Sequence, residues 1–219
     1  MQLIIFDVDG TLTRSTSIDA TCYARAVAEH LRMQVNTDWS MYRHATDAGI
    51  LSELLERQGI PETRPDVAAV RARFLGLLSA ALTLDPTLCR EVPGARAAIE
   101  SLREVPEFQL AIATGAWADS ARLKLRHASV GIDQIPLASS DDSPSREKIL
   151  EIAFERAAAR SGQRPDAVTY FGDAPWDVSA AHSLGFRFIG IACEGDMGQL
   201  RSAGASVILP DFTDELFAG

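Results

Sequence analysis

The chain has 219 residues, 47% of them hydrophobic, and a formal net charge of −9. This length and apolar content are typical of a globular protein with one large domain, or one domain that carries a smaller inserted one. The negative charge disfavours nucleic acid and anionic membranes as partners, and no apolar run approaches the ~18 residues of a membrane helix. Three widely spaced cysteines, Cys22, Cys89 and Cys193, indicate reduced thiols and predict a cytoplasmic protein.

The first predicted element is a buried strand that ends in two aspartates. Residues 3–6 are all apolar, and Asp7, Asp9 and Gly10 follow them. Residues two apart on an extended chain point to the same side, so both carboxylates should project into one crevice, at the strand end where open α/β sheets bind ligands. Two like charges this close need a cation, a shared proton or water. An ordinary Asp-Gly turn is the alternative interpretation.

Residues 17–88 change character, because their apolar residues recur at helical spacing and no β-rich run separates them. Prolines at 61 and 65 interrupt this region, and Pro86 and the Pro93-Gly94 pair precede the return to strands. The sequence therefore predicts a helical domain of residues 15–88, inserted into a domain made of residues 1–14 and 89–219.

The second half alternates strands and helices, which predicts an α/β fold with a doubly wound parallel sheet. Polar or small residues follow the core strands and would gather at one edge of that sheet. The predicted elements are a helix at 95–104, a strand at 109–113, a helix at 117–127, a strand at 135–138, a helix at 145–160, a strand at 167–171, a helix at 177–184, and strands at 186–192 and 207–208.

Further candidate site residues follow two of these strands. Asp173 comes directly after a buried run, as Asp7 does, whereas Asp177 is equally well explained as a ligand or as a helix N-cap. Thr114 and Gly115 offer a hydroxyl and free backbone N–H groups of the kind that bind anions, although Thr114 could also be a plain N-cap. An acidic site without histidine or cysteine favours a hard cation such as Mg²⁺.

A basic residue would complete a site for a phosphoryl group. Lys148 is one of only two lysines in the chain, and the other, Lys124, is predicted to lie on an exposed helix face. Lys148 follows Ser145-Arg146-Glu147, so it is expected inside a helix rather than in a loop. Arg146 is therefore a possible substitute for it.

Taken in order, these motifs resemble those of the haloacid dehalogenase-like hydrolase superfamily. They are Asp-x-Asp-Gly-Thr after the first strand, Thr-Gly after the second, a lysine, and Gly-Asp-x-x-x-Asp after the fourth. The similarity spans the whole chain, and the helical insert resembles the C1 cap of the phosphoglycolate phosphatase and β-phosphoglucomutase branch. This chain departs from the family's motifs at Lys148, because many relatives carry a Lys-Pro pair in a loop at this point.

The resemblance implies a phosphatase that acts on a small phosphorylated metabolite through an aspartyl-phosphate. Asp7 would be the nucleophile and Asp9 the proton shuttle, while Thr114 and Lys148 would stabilise the transferring phosphoryl group. Asp7, the backbone carbonyl of Asp9, and Asp173 would hold Mg²⁺, with Asp177 as a further ligand or support.

Rival functions differ from this one by single residues. Dehalogenases of the superfamily lack the second aspartate, so Asp9 disfavours them, and phosphonoacetaldehyde hydrolases use a cap lysine, whereas residues 17–88 contain none. A phosphomutase would keep the same core residues and stays an alternative. A phospho-accepting receiver would not need the insert, and a catalytically silent phosphate-binding protein would not need Asp7, Asp9 and Asp173. The oligomeric state does not follow from the sequence.

Substrate choice is expected in residues 39–49 of the insert. This segment is polar and aromatic where its neighbours are amphipathic, and it contains Arg43, His44, Thr46 and Asp47. Arg43 could bind an anionic tail and His44 a hydroxyl. A helix-helix connection capped by Thr46 or Asp47 is the alternative.

Overall fold

The computed structural model describes residues 1–213 of the chain. Eight strands are present in this part: six form one sheet, and two form a short antiparallel pair. The strands are β1 (Gln2–Phe6), β2 (Thr13–Arg14), β3 (Arg90–Glu91), β4 (Phe108–Ala113), β5 (Leu137–Ala138), β6 (Ala167–Gly172), β7 (Arg187–Ile191) and β8 (Ile208–Leu209).

Eight α-helices connect and flank these strands within residues 1–213. The predicted helices are confirmed, with ends that differ by no more than a few residues, and the last helix was not predicted. The helices are α1 (Thr16–Leu31), α2 (Asp47–Arg57), α3 (Arg64–Leu84), α4 (Ala95–Arg103), α5 (Ala118–His127), α6 (Arg146–Ser161), α7 (Pro175–Ser183) and α8 (Met197–Ser202).

The six-stranded sheet is parallel throughout and has the order β5-β4-β1-β6-β7-β8. Strand β1 lies between β4 and β6, with Phe6 in register with Ile112 and Phe171. Its side chains alternate between two hydrophobic clusters, Ile4 and Phe6 in one and Leu3 and Ile5 in the other. Both faces of the sheet are therefore buried, which confirms the doubly wound α/β fold predicted from the alternation of strands and helices.

Helices α1, α2 and α3 lie between β2 and β3 in the chain, in the region predicted to be a helical insert. Helix α1 packs against α3, and the rings of Tyr23 and Phe74 from these helices meet Trp117, which precedes α5, with centroids 5.8 and 5.9 Å from the Trp117 ring. Aromatic contacts thus join the helical insert to the sheet domain. The division at residues 14/15 and 88/89 stays a prediction, and residues 214–219 lie outside the described residues.

Helix α3 is the one described segment whose length and composition would allow it to cross a membrane, over Pro65–Leu84. By length and composition this helix is an exception to the expectation that no segment approaches a membrane span. Its residues Val70, Phe74, Leu78 and Leu82 are buried in the same hydrophobic cluster as α1. One face of α3 is therefore packed against the protein, while 22% of its apolar window is buried in total.

Candidate active site

The carboxyl ends of three neighbouring strands meet at one cavity. Asp7 follows β1, Thr114 follows β4 and Asp173 follows β6, and all three line a space of about 80 Å³ together with Asp9 and Gly115. The structure therefore brings together five of the residues that the sequence analysis placed at this sheet edge. The cavity is small compared with the ~300–1,000 Å³ typical of drug-sized ligands.

Three carboxylates form a compact cluster, and two of them, Asp7 and Asp173, line the cavity. Asp7, Asp173 and Asp177 each place one oxygen within 4.8 Å of the others. Burial, together with the charges of Asp177 and Asp9, raises the pKa of Asp7 to about 8 against the lowering effect of Arg146. Burial, together with the charges of Asp177 and Asp7, raises the pKa of Asp173 as well. A cation bound between Asp7 and Asp173 would favour their charged forms and so oppose this rise in pKa.

The backbone at Gly10 allows this close approach. Gly10 has φ +77°, and a Cβ atom on it would lie 1.9 Å from Oδ2 of Asp173. A side chain at this position would therefore clash with Asp173, besides straining the left-handed backbone.

The interpretation of Asp177 as the N-cap of α7 is wrong, because Ala174 is the N-cap and Asp177 is the third helical residue. From there Oδ2 of Asp177 accepts a hydrogen bond from the backbone N–H of Ala174 at 3.2 Å, which satisfies a free N–H at the start of the helix. Its role as a metal ligand stays a prediction. Oδ1 accepts a hydrogen bond from the Tyr170 hydroxyl at 2.9 Å, and the side chain is fully buried. Asp177 thus belongs to the carboxylate cluster while it also stabilises the helix.

Arg146 is the basic residue that contacts Asp7. Ser145 caps α6 and makes Arg146 the first helical residue, from where Nη1 donates to Oδ1 of Asp7 at 3.0 Å and Nη2 to the carbonyl of Ala45 at 3.1 Å. Its Nε lies 3.4 Å from Oδ1 of Asp177 and is buried without a hydrogen bond. Burial alone would lower the pKa of Arg146, but neighbouring groups, above all Asp177, raise it, so the guanidinium stays charged.

Gly115 leaves room for this guanidinium. A Cβ atom on Gly115 would lie 2.5 Å from Nη2 of Arg146 and 2.9 Å from the carbonyl oxygen of Ala45. The glycine that the sequence analysis assigned to anion binding is therefore also needed for the position of Arg146.

The structure does not bring Lys148 to the cavity, contrary to the sequence prediction. Its side chain is 60% exposed, and its Nζ binds Glu151 one helical turn away at 2.7 Å. The physical reason is helix geometry: residues two apart on an α-helix point in nearly opposite directions, so Arg146 and Lys148 cannot face the same cavity. Arg146, the substitute considered above, occupies the position beside Asp7.

The prediction that Lys124 lies on an exposed face is wrong. Lys124 is fully buried, and its Nζ donates to Oδ2 of Asp9 at 2.6 Å and to Asp19 of α1. Burial would lower the pKa of Lys124, but the charges of Asp19, Asp9 and Asp47 raise it well above its usual value. The sequence held a signal for this burial, because Ala121, Leu125 and Ala128 share the helix face of Lys124 and are buried too.

Asp9 is held at both carboxylate oxygens. Ser15 donates its hydroxyl to Oδ1 at 2.6 Å, and Lys124 donates to Oδ2 at 2.6 Å. These two hydrogen bonds fix the orientation of Asp9 beside the cavity. The sequence analysis assigned no role to Ser15 or Asp19.

Arg43 and His44 do not line the cavity, although the sequence analysis expected them to bind substrate. Arg43 is 65% exposed and pairs with Glu56 at 3.1 Å. Thr46 and Asp47 from the same segment do line it. Thr46 caps α2 by accepting from the backbone N–H of Gly49, so the capping alternative is correct for this residue.

The fold and this strand-end cluster of aspartates define a hydrolase of the α/β type with an inserted helical region. The family model of the haloacid dehalogenase-like hydrolases matches residues 1–185, and the chain belongs to this family. No curated protein matches the chain.

Several solved structures are similar over nearly the whole chain. A hydrolase from Pseudomonas syringae is 24% identical, with 99% of this chain and 96% of that chain covered and a TM-score of 0.76. CbbY from Rhodobacter sphaeroides, in complex with phosphate, is 17% identical, with 97% of this chain and 95% of that chain covered and a TM-score of 0.71. A predicted phosphoglycolate phosphatase from Haemophilus somnus is 20% identical, with 98% and 96% covered and a TM-score of 0.66. These similarities support the fold.

Proposed function

We propose that the protein is a Mg²⁺-dependent phosphatase that hydrolyses a small phosphorylated metabolite through an aspartyl-phosphate on Asp7. The observation that carries this proposal is the position of Asp7, which lies in a carboxylate cluster, 3.0 Å from the guanidinium of Arg146, and lines the same cavity as Asp9. A nucleophile, a second carboxylate and a fixed positive charge at one cavity are the groups that phosphoryl transfer requires.

In the proposed first step, an oxygen of Asp7 attacks phosphorus while the bond from phosphorus to the leaving oxygen breaks. Asp9 would have to be protonated in the reacting complex, in place of its ion pair with Lys124, and it gives this proton to that oxygen. In the second step Asp9 takes a proton from water, the water oxygen attacks phosphorus, and the bond from phosphorus to Asp7 breaks, which releases inorganic phosphate. Arg146 and Thr114 stabilise negative charge on the phosphoryl oxygens, so Arg146 takes the role that the sequence analysis gave to Lys148.

The residues present fit Mg²⁺, because the cluster of Asp7, Asp173 and Asp177 offers hard oxygen donors and no sulfur or imidazole. By resemblance to the family, Asp7, the backbone carbonyl of Asp9, and Asp173 would hold the ion, with Asp177 in support. When bound, the ion would neutralise charge on the phosphoryl oxygens and between the carboxylates.

The alternatives differ in what they need from these residues. A phosphomutase would return an isomerised phosphate ester rather than free phosphate, so product analysis separates it from a phosphatase. Phosphonoacetaldehyde hydrolases use their lysine to form a Schiff base, which requires the neutral amine. Lys124 is ion-paired with two carboxylates and its pKa is raised, so it does not suit this chemistry. The proposal keeps the cytoplasmic location expected from the cysteines, all three of which are free.

Removing the proton shuttle should slow reactions with poor leaving groups most. Asp9→Asn is expected to lower kcat/KM for an alkyl phosphate by ~10²–10⁴-fold and for acetyl phosphate by less than ~10-fold, because acetate leaves without a proton. The ratio kcat/KM reports the first phosphoryl transfer, so the later role of Asp9 as a base does not obscure the comparison. Equal losses for both substrates would contradict the general-acid role.

Binding of Mg²⁺ should be visible without any turnover. Mg²⁺ at about 100 times its Kd is expected to stabilise the folded protein by ~2.7 kcal/mol, which corresponds to roughly 5–10 °C in Tm for a chain of this size. Asp173→Asn should lose most of this shift, because it removes one ligand of the cluster. Asp166→Asn, at an exposed aspartate that pairs with the N-terminus, is the matched control. A shift that survives Asp173→Asn would place the ion elsewhere.

A further inference from the structure

Tyr170 carries a polar group at a position where the fold needs only an apolar ring. It lies in β6, in register with Ile5 of β1, and is fully buried. Its ring belongs to the hydrophobic cluster that contains Leu3 and Ile5, and its centroid lies 6.0 Å from that of Phe188. A phenylalanine would make the same packing contacts without burying a hydroxyl group. The hydroxyl of Tyr170 therefore calls for a separate explanation.

The partner of this hydroxyl is Asp177. The Tyr170 hydroxyl donates to Oδ1 of Asp177 at 2.9 Å, and both side chains are fully buried. Burial, and after it the charge of Asp177, raises the pKa of Tyr170 well above its usual value, so the hydroxyl keeps its proton and stays a donor. Tyr170 does not line the cavity. Any effect of Tyr170 on the chemistry must therefore pass through Asp177.

Asp177 in turn is held at both carboxylate oxygens. Oδ1 accepts from Tyr170, and Oδ2 accepts from the backbone N–H of Ala174. Gly172 leaves the space for this carboxylate, because a Cβ atom on Gly172 would lie 2.8 Å from Oδ2. A buried carboxylate with a donor on each oxygen has a fixed orientation, since turning it would break a hydrogen bond. Tyr170 and Ala174 together thus set the direction in which Asp177 presents its charge.

That charge faces Arg146. Oδ1 of Asp177 lies 3.4 Å from Nε of Arg146, which has no hydrogen bond of its own. Although burial would lower the pKa of Arg146, the charge of Asp177 makes the largest contribution that raises it. The far end of the same side chain donates to Asp7 at 3.0 Å. Tyr170, Asp177 and Arg146 therefore form a buried chain of contacts that ends at the proposed nucleophile.

We propose that Tyr170 is a positioning residue, which orients Asp177 and through it holds Arg146 in place against the phosphoryl oxygens. This inference rests on the proposed phosphatase function. Without the Tyr170 hydroxyl, Oδ1 of Asp177 would lose its hydrogen-bond donor, and the carboxylate could turn away from Arg146. Displacement of a reacting or stabilising group by ~1 Å can cost ~10²-fold in rate, so the loss of this anchor should be visible in the kinetics.

A double-variant cycle on acetyl phosphate with Mg²⁺ tests the inference. The leaving group of this substrate needs no proton, so Asp9 does not enter the comparison. Tyr170→Phe, which removes one oxygen atom, should lower kcat/KM by ~10-fold. Arg146→Lys keeps the charge but has no Nε for Asp177 to hold, so Tyr170→Phe added to it should lower kcat/KM by less than ~2-fold further.

Orthovanadate, which mimics the five-coordinate phosphoryl group, supplies the same cycle as a binding constant. Calorimetric titration in the presence of Mg²⁺ measures its Kd without turnover, so the cycle can be completed even if Arg146→Lys reacts too slowly to follow. We expect Tyr170→Phe to raise this Kd by ~10-fold in the parent and by less than ~2-fold in Arg146→Lys.

Thr169→Val is the matched control, because it removes a buried hydroxyl from the neighbouring position of the same strand. Thr169 accepts from Nε2 of Gln2 at 3.0 Å and does not line the cavity. This variant should keep kcat/KM within ~2-fold of the parent. The Mg²⁺ concentration that gives half of the maximal rate should stay within ~2-fold of the parent in Tyr170→Phe, because Tyr170 acts on Arg146 rather than on the ion.

The outcomes separate this inference from the proposed function. Equal losses from Tyr170→Phe in the parent and in Arg146→Lys would overturn the inference and leave the phosphatase proposal standing. So would parent-like kinetics in Tyr170→Phe, or a loss that a higher Mg²⁺ concentration restores. No turnover of acetyl phosphate or of an alkyl phosphate by the parent would overturn the phosphatase proposal itself. If circular dichroism shows that Tyr170→Phe is unfolded, Asp177→Asn takes its place in the cycle, with the same lack of additivity expected.

Discussion

Replacement of Asp7 by asparagine is expected to abolish phosphate release, with a loss of more than ~10³-fold in kcat, because the variant lacks the oxygen nucleophile that would accept the phosphoryl group. The amide is nearly the same shape and can still accept the hydrogen bond from Arg146. The fold should therefore survive. The measurements are phosphate release with Mg²⁺ on the best ester found, circular dichroism, and Tm.

A second measurement distinguishes loss of the nucleophile from loss of the ion. The parent, mixed with substrate and quenched in acid, should yield a phosphorylated chain whose label maps to Asp7, and Asp7→Asn should yield none. An excess of chelator should also stop turnover in the parent. Activity that persists in Asp7→Asn would rule out the aspartyl-phosphate mechanism, whatever the role of the ion.

The sheet and the positions of most acidic residues were predictable from local patterns. The run at residues 3–6 is apolar at every position, and its short length and the Asp-Gly turn that follows favoured a strand covered on both faces over a helix. Because the ends of parallel strands share one edge, Asp7, Thr114 and Asp173 were expected together, and they line one cavity. The short β2–β3 pair and α8 are two to six residues long and left no periodic signal.

The basic residues were not predictable in the same way, because their positions depend on which helix face turns inward. Arg146 and Lys148 are two positions apart on α6, and the face of the helix that packs against the sheet decides which of them reaches Asp7. The helix itself was predicted to within one residue of its start, but the residues that its face meets are distant in sequence. The partners of Asp47 are also distant in sequence, since Trp117 is 70 positions away. Contacts of this kind leave no local pattern.

Lys124→Met is expected to destabilise the folded protein by ~3–5 kcal/mol, because it leaves Asp9 and Asp19 beside each other without their shared cation. Methionine fills a similar volume, so the loss comes from charge rather than from a cavity. Urea denaturation of parent and variant at pH 8 measures the difference. Turnover should fall as well, since Asp9 would keep only its hydrogen bond from Ser15.

The loss of stability in Lys124→Met should depend on pH in a direction that the structure defines. Burial raises the pKa of Asp19 to about 6 even with Lys124 present, so removal of Lys124 should raise it further. When the pKa of a carboxyl group is higher in the folded than in the unfolded protein, the free energy of unfolding falls once the pH rises above the pKa of the unfolded protein. Protonation of the group in the folded protein removes this loss. The difference in the free energy of unfolding between the parent and Lys124→Met should therefore be smaller at pH 5 than at pH 8.

The only other lysine of the chain is the matched control for this prediction. Lys148→Met removes a 60% exposed side chain paired with Glu151, so it should change the free energy of unfolding by less than ~0.5 kcal/mol and leave turnover unchanged. The double variant Lys124→Met/Asp19→Asn should recover part of the lost stability, because it removes one of the unpaired buried carboxylates. Equal effects of the two lysine substitutions, or no recovery in the double variant, would contradict a buried ion-pair role for Lys124.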